Sequence, residues 1–285
     1  MDTAAQWRWQ SSTTRPAARV GTELRVTAPH ASEGPEEPLA PAGDEPGGTL
    51  TADFLRAVGH EMGSGPLTAG ALARAAARLL PVDGVGITTM VDELRLPLGA
   101  STAAAQLAEE LQTTLGDGPC LAAAQAQAPY AADLPELWRR WPLYAEELTR
   151  RTSYRSAGAI PLRTPDGQIF AALDLYCEEE HIVGRIDLDE VADEVGASLG
   201  ALLDLCMHPV PAEPAAEVLP EWYDAATARR QDVWVAIGMV MGRQHRPSAD
   251  ALSLLRGYAY SHDRSLDDVA DDVVQRRVRV RDLEG

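Results

Sequence analysis

The sequence predicts an α+β domain with an antiparallel sheet flanked by helices, followed by a small all-α three-helix bundle. Two observations predict it. From residue 51 to 207, period-2 and period-3.6 segments follow one another as helix, strand hairpin, helices, strand, strand hairpin, helix. From Arg229 to Arg281, three short apolar stripes are separated by the breaks His245-Arg246-Pro247 and His262-Asp263-Arg264. Short amphipathic helices with brief connections can bury such stripes only against one another. Between the two regions, residues 208–220 carry Pro209, Pro211, Pro214 and Pro220 and read as a stiffened linker.

In chain order, residues 1–48 are rich in Pro, Gly, Ala, Thr and Glu, lack a sustained period and are expected to be disordered. Trp7 and Trp9 bracket Arg8 and read as incidental aromatics of that tail rather than a docking motif. Phe54, Leu55 and Val58 begin a helix, and Leu67–Leu80 forms a second, closed by Pro81. Gly84–Val91 and Leu94–Ala100 are strands joined by a tight turn at Asp92-Glu93. Thr102–Thr114 is helical, and Gly116-Asp117-Gly118-Pro119-Cys120 is a turn that launches a short helix with Pro119 in its first turn. Tyr130–Ala132 is a short strand. Leu134–Arg151 is helical, with Pro142 forcing a kink or a fresh start. Tyr154–Leu162 and Gln168–Tyr176 pair across Thr164-Pro165-Asp166-Gly167, where Pro suits the second turn position and Gly can take positive φ. A long helix runs from Asp187 to Cys206.

In the C-terminal region, Val233, Ala236, Ile237, Val240 and Met241 share the face of a first helix. Ser248 is expected to cap the second, which turns Ala251, Leu254, Leu255, Tyr258 and Ala259 inward. Ser265 caps the third, whose stripe is Leu266, Val269, Ala270, Val273 and Val274.

The net charge of −18 argues against nucleic-acid binding by the chain as a whole. The charge is unevenly placed: from Glu221 to Gly285, ten Arg face eleven Asp and Glu. Asp267, Asp268, Asp271 and Asp272 precede Arg276, Arg277, Arg279 and Arg281, which fits either a helix dipole or a phosphate site. All 25 basic side chains are arginine. Three cysteines without C-x-x-C spacing point to a reducing compartment, and neither a signal sequence nor an apolar run of membrane-spanning length is present, so the cytoplasm is expected.

No constellation argues for catalysis, so the chain reads as a non-enzyme. Gly116-Asp117-Gly118-Pro119 lacks the lysine of a phosphate loop. Cys120 at a helix start reads as a packed thiol rather than a nucleophile. Glu178-Glu179-Glu180-His181 reads as an acidic loop, Cys206 with His208 supplies only two ligands, and Asp83, Asp92 and Asp174 have no evident partner in sequence. Neither a metal nor a cofactor is expected.

Two resemblances go further. The patterns R-x-x-V-x-x-A-x-G-M-V-M, D-A-x-x-L-L-R-x-Y-A and R-S-L-x-x-V-A-x-x-V-V resemble the ANTAR domain, the three-helix RNA-binding module of bacterial antitermination regulators. Ala236, Gly238, Met241, Ala251, Leu255, Arg256, Ala259, Leu266, Val269, Ala270 and Val273 carry that match. Many members have lysine before the matched glycine, where this chain has Ile237. Leu115–Pro142, through Gly116, Gly118, Pro119, Cys120, Asp133, Leu134, Arg140, Trp141 and Pro142, resembles the GAF sensory fold of actinobacterial GAF–ANTAR proteins. Together they imply a GAF sensor (51–207), a linker (208–220) and an ANTAR module (221–285) in a transcription antitermination regulator. The two domains are expected to be separate compact units.

The RNA partner would be a hairpin in a nascent transcript, gripped through Arg256, Tyr260, Arg264, Arg276 and Arg277. An unknown small molecule is expected against the sheet, with Met90 and Trp141 as walls and Tyr176 as a polar contact. The same aromatics also suit plain core. A homodimer is expected through the face carrying Ile186, Val191, Val195, Leu199, Leu202 and Leu203. The alternatives are a DNA-binding regulator, disfavoured by the aspartates opening the third helix, and an adaptor acting by protein–protein contact.

Overall fold

The computed structural model describes residues 49–91, 94–207 and 225–284. The N-terminal segment 1–48, the Asp92-Glu93 turn and the linker 208–220 lie outside the described residues.

Five strands form one antiparallel sheet in the order β2-β1-β5-β4-β3: β1 (Gly84–Val91), β2 (Leu94–Ala100), β3 (Tyr130–Ala132), β4 (Ser156–Arg163) and β5 (Ile169–Cys177). The β4–β5 hairpin closes as the Thr164–Gly167 signal requires, with Gly167 at φ 89° donating its N–H to the Thr164 carbonyl at 2.8 Å.

Side-chain alternation divides the sheet into unlike faces. One face presents Val85, Ile87, Ile160, Leu162, Leu173 and Leu175, all fully buried. They pack with α1 (Leu50–Met62), α2 (Ala69–Leu79) and the long helix after β5. That helix comprises α7 (Leu188–Val191), a π-helical turn (Ala192–Gly196) and α8 (Ala197–Met207). Val191, Val195, Leu199 and Leu203 are buried in this layer, so the stripe expected to form a dimer is taken up by the chain's own core. The other face carries Gly84, Gly86, Thr88 and Met90 on β1 and Ala172, Asp174 and Tyr176 on β5. Over it lie α3 (Ala103–Leu115), α4 (Pro119–Ala126), α5 (Leu134–Arg140) and α6 (Pro142–Arg151). Pro142 ends one helix and opens the next, so the Leu134–Arg151 segment is two helices around Trp141.

The C-terminal bundle is α9 (Ala225–Gln244), α10 (Ser248–Ser261) and α11 (Leu266–Val274), followed by a 3₁₀ turn (Val280–Glu284). Its core is Val233, Ala236, Ile237, Val240, Ala251, Leu252, Leu255, Ala259, Leu266, Val269, Ala270, Val273, Val280 and Leu283, joined by Leu96 of β2. Ser265 caps α11 by accepting the Asp268 N–H at 3.1 Å. The expected Ser248 cap is not formed: Pro247 stands at the cap position, and Ser248 is already helical. At the other end α11 stops at Val274, so Arg276 and Arg277 lie beyond the helix rather than in its last turn.

Candidate functional site: a buried carboxylate cluster and an arginine groove joined by one helix

Asp174 lies mid-strand on β5, opposite Gly86 of β1 and Ala159 of β4. The small neighbours leave room for side chains descending from α3. A Cβ at Gly86 would overlap the Glu109 carboxyl, so the glycine is what lets that group reach the sheet. Glu109 is buried and accepts hydrogen bonds from Thr88 Oγ1 and from Tyr176 Oη, the latter at 2.5 Å. Gln112, one turn further along α3, donates Nε2 to Tyr176 Oη at 3.0 Å and accepts the Cys120 N–H at 3.2 Å. Arg95 reaches in from β2, with Nη1 3.6 Å from Cys120 Sγ and Nη2 donating to the Gly116 carbonyl at 2.7 Å. Asp174 is 1% exposed, and neither of its oxygens, nor Tyr144 Oη, has a hydrogen-bond partner among the described residues. Burial, followed by the charge of Glu109, pushes the Asp174 carboxyl well above its usual range. Burial likewise pushes the Cys120 thiol well up, which disfavours the thiolate. All three cysteines are buried free thiols.

Of the three residues expected to line a ligand site, Tyr176 belongs to this network and stacks on Tyr154, with ring centroids 5.1 Å apart. Trp141 is buried edge-on to Tyr130, and the Arg140 guanidinium lies 4.9 Å from both ring centroids. Met90, on the same sheet face as Tyr176, packs beside Cys120, Ala123, Ala159 and Ala172. Asp174 stands out in the sequence only as a carboxylate without a partner, and Glu109, Arg95, Gln112 and Tyr144 were missed. The signal that could have found them is the alternation Gly84-Val85-Gly86-Ile87, which marks one face of β1 as kept open.

The five residues expected at the RNA surface do not form one patch. Arg256 on α10 donates Nε to the Thr113 carbonyl at 2.9 Å, in the last turn of α3, where helix carbonyls lack intrahelical partners. Its guanidinium passes so close to Gly116, the left-handed cap of α3 at φ 74°, that a Cβ there would lie 2.7 Å from Nη1. In return Thr114 Oγ1 accepts the N–H of Leu266, the first residue of α11, at 3.3 Å. The C-terminal end of α3 is thus bonded by a side chain from the middle of α10 and by the first N–H of α11, and the bundle sits against α3 and β2.

Tyr260 and Arg264 share a cleft of about 380 Å³ with Leu107 and Leu111 of α3. Arg264 is held 2.6 Å from Asp272, and Arg277 folds back onto Asp271 and Asp272. Hydrogen bonding from Arg277, with Arg264 on the same carboxylate, holds Asp272 below the usual carboxylate range. Ile237, which precedes Gly238, is buried in the bundle core.

Arg276 is placed differently. It takes a left-handed φ of 60°, and the chain reverses there: the Arg277 and Val278 N–H groups both return to the Asp272 carbonyl. Residues 276–281 then cross α9, anchored by buried Val280 and by Gln244 Nε2 donating to the Val280 carbonyl at 3.4 Å. This creates a groove of about 800 Å³ whose charged lining residues are Arg243, Arg276, Arg279 and Arg281. Among the described residues its other walls are apolar or glycine, and no carboxylate lines it. Arg243, Arg276 and Arg279 form no ion pair among the described residues; Arg281 has a 3.5 Å contact with exposed Asp282. The sequence puts Arg276 near the end of the last helix and gives no sign that Arg243, more than thirty positions earlier, joins it.

Among the described residues no cluster of His, Cys, Asp and Glu could hold a metal ion, and no helix is long and apolar enough to cross a membrane. Among solved structures, similarity is found to the GAF domain of an Acinetobacter phosphoenolpyruvate-protein phosphotransferase. Identity is 12%, the TM-score is 0.38, and the match covers 56% of this chain and 96% of that one. A GAF sensor protein from Burkholderia vietnamiensis is similar at 14% identity and a TM-score of 0.34, covering 57% of this chain and 92% of that one. No family model matches the sequence, and no curated protein matches it.

Proposed function

We propose that the chain is a signal-responsive transcription regulator in which a GAF-type α+β sensor governs an ANTAR-type bundle that binds hairpin RNA in nascent transcripts. The observation that carries the reading is the arginine groove. In a chain of net charge −18, four arginines line one groove that no carboxylate of the described residues lines. Such a surface suits a phosphate backbone, whose bound counterions are released when arginines replace them. Arginine also offers planar, multidentate hydrogen bonding to phosphate oxygens. The function is binding, without bond-making.

The sensor half of the reading rests on α3. Glu109 and Gln112 engage the buried cluster, and Thr113 and Thr114, immediately beyond them, hold α10 and α11. A ligand or proton that moves α3 at the cluster therefore moves the two groups on which the bundle is docked. This route does not depend on residues 208–220. Dimerisation, expected from the family resemblance, is better served by a face other than the apolar stripe of the helix after β5, most of which packs on the sheet.

The test is a titration of the full chain against a hairpin RNA and against duplex DNA of matching length and charge. The reading predicts tighter binding to the RNA, and strong weakening in R276E/R279E with circular dichroism unchanged. Equal or stronger binding to duplex DNA would favour a DNA-binding regulator, and no binding to either would sink the nucleic-acid reading.

A further inference from the structure

The arginine groove occupies only one side of α9. Val233, Ala236, Ile237 and Val240 face the bundle core. On the opposite side, Trp234, Val235, Gly238, Met241 and Gly242 recur at the spacing of a single helical face. Trp234 is 40%, Val235 48% and Met241 37% exposed, and the segment 234–242 contains no charged residue. A helix in water ordinarily turns charge outward on the side away from its core, so this face is inverted.

The glycines sharpen the point. Glycine is among the least favourable residues inside a helix, and it is tolerated where a neighbour must approach closely. Among the described residues nothing approaches: a Cβ at Gly238 or Gly242 would meet none of their atoms within 4 Å. The packing of the described residues therefore does not call for glycine at either position. Gly242 also lines the arginine groove, so the flat face and the groove are one continuous surface. Trp234 lies about 12 Å from Gly242 along the helix axis at about 1.5 Å per residue.

We propose that this face of α9 is a stacking platform, on which Trp234 carries an unpaired base of the RNA whose phosphates lie in the arginine groove. The inference rests on the RNA-binding reading above and adds its mode of recognition. A base presents a flat apolar face while its strand supplies the negative charge the groove needs. Single-stranded loops are where RNA offers such bases. A second copy of the chain fits less well, because pairing α9 with α9 would bring two arginine grooves side by side, like charge against like.

The test uses the full chain and a hairpin RNA carrying 2-aminopurine in its loop. Binding by the wild type should change the 2-aminopurine fluorescence. W234A should abolish that change and weaken binding about 5- to 150-fold with the salt dependence unaltered. Gly238→Leu places a better helix former in open space and obstructs the platform, so its thermal midpoint should hold or rise while RNA affinity falls. W234A and Gly238→Leu both binding like wild type, with the fluorescence change retained, would overturn the proposal while leaving the groove reading intact. Failure of the wild type to bind RNA at all would instead remove the reading beneath it. Conversion of a dimer to a monomer by W234A in light scattering, with RNA affinity unchanged, would show that a second copy covers the face and would also overturn the proposal.

Discussion

Asp174 is a carboxyl group placed where water cannot reach it, beside a second carboxyl on α3. Its raised pKa makes the folded chain hold a proton that the unfolded chain, with an aspartate value near about 3.9, gives up. The folded state binds more protons throughout the window between those two values, so stability falls as pH rises through it. Asp174→Asn removes the titration and preserves the shape. It should raise the thermal midpoint at about pH 8, with the gain shrinking as pH is lowered toward the unfolded value. A gain that does not vary with pH would show that Asp174 does not carry the linkage. Asp174 was visible in the sequence only as a carboxylate without a partner, because Glu109 stands 65 positions away and pairing at that separation is decided by the sheet. Arg256 illustrates the same limit. The sequence shows it off the apolar stripe of α10, which suits solvent or RNA, yet the fold spends it on the carbonyl end of α3.

The helix α3 is the element that ties the two halves together, engaging the cluster on one side and the bundle at its C-terminal end. Replacing Arg256 with Ala removes a hydrogen bond to a helix-end carbonyl and a favourable charge near a helix C-terminus, which together contribute on the order of 1–3 kcal/mol. Amide exchange in α10 and at the start of α11 should accelerate, while the strands of the sheet keep their protection. Unchanged exchange in both helices would mean that Arg256 does not hold the bundle to α3. Ala259→Asp is the contrasting variant: it buries a charge on the inner face of α10 and should melt the bundle outright. Element boundaries were largely legible because they depend on local chemistry. The Ser265 cap, the Pro142 break and the Thr164–Gly167 turn all stand where their residues require. The end of α11 was not, because the Arg276 reversal is fixed by the burial of Val280 and Leu283, which only the packed bundle provides.

Across the whole molecule, charge is sorted rather than balanced. The acid excess lies in the first 220 residues, and the bundle concentrates four arginines around one groove. The total of −18 concealed this, and the local near-neutrality of the tail concealed it again, because Asp271 and Asp272 neutralise Arg264 and Arg277 and leave Arg243, Arg276 and Arg279 outside those pairs. The antiparallel sheet and the helices after it could be read from periodicity; that the bundle packs on α3 and β2, where two separate compact units were expected, could not. The groove could not, since it is assembled from the end of α9 and a segment that the chain returns to it after α11. The most direct test of the account is the salt dependence of hairpin-RNA binding, compared between wild type and Arg279→Ala. If the groove grips phosphate, affinity falls steeply with salt in the wild type, and the variant loses about 1 from the slope of log K against log salt while remaining folded. A wild-type affinity indifferent to salt, or a slope unchanged in the variant, would contradict it.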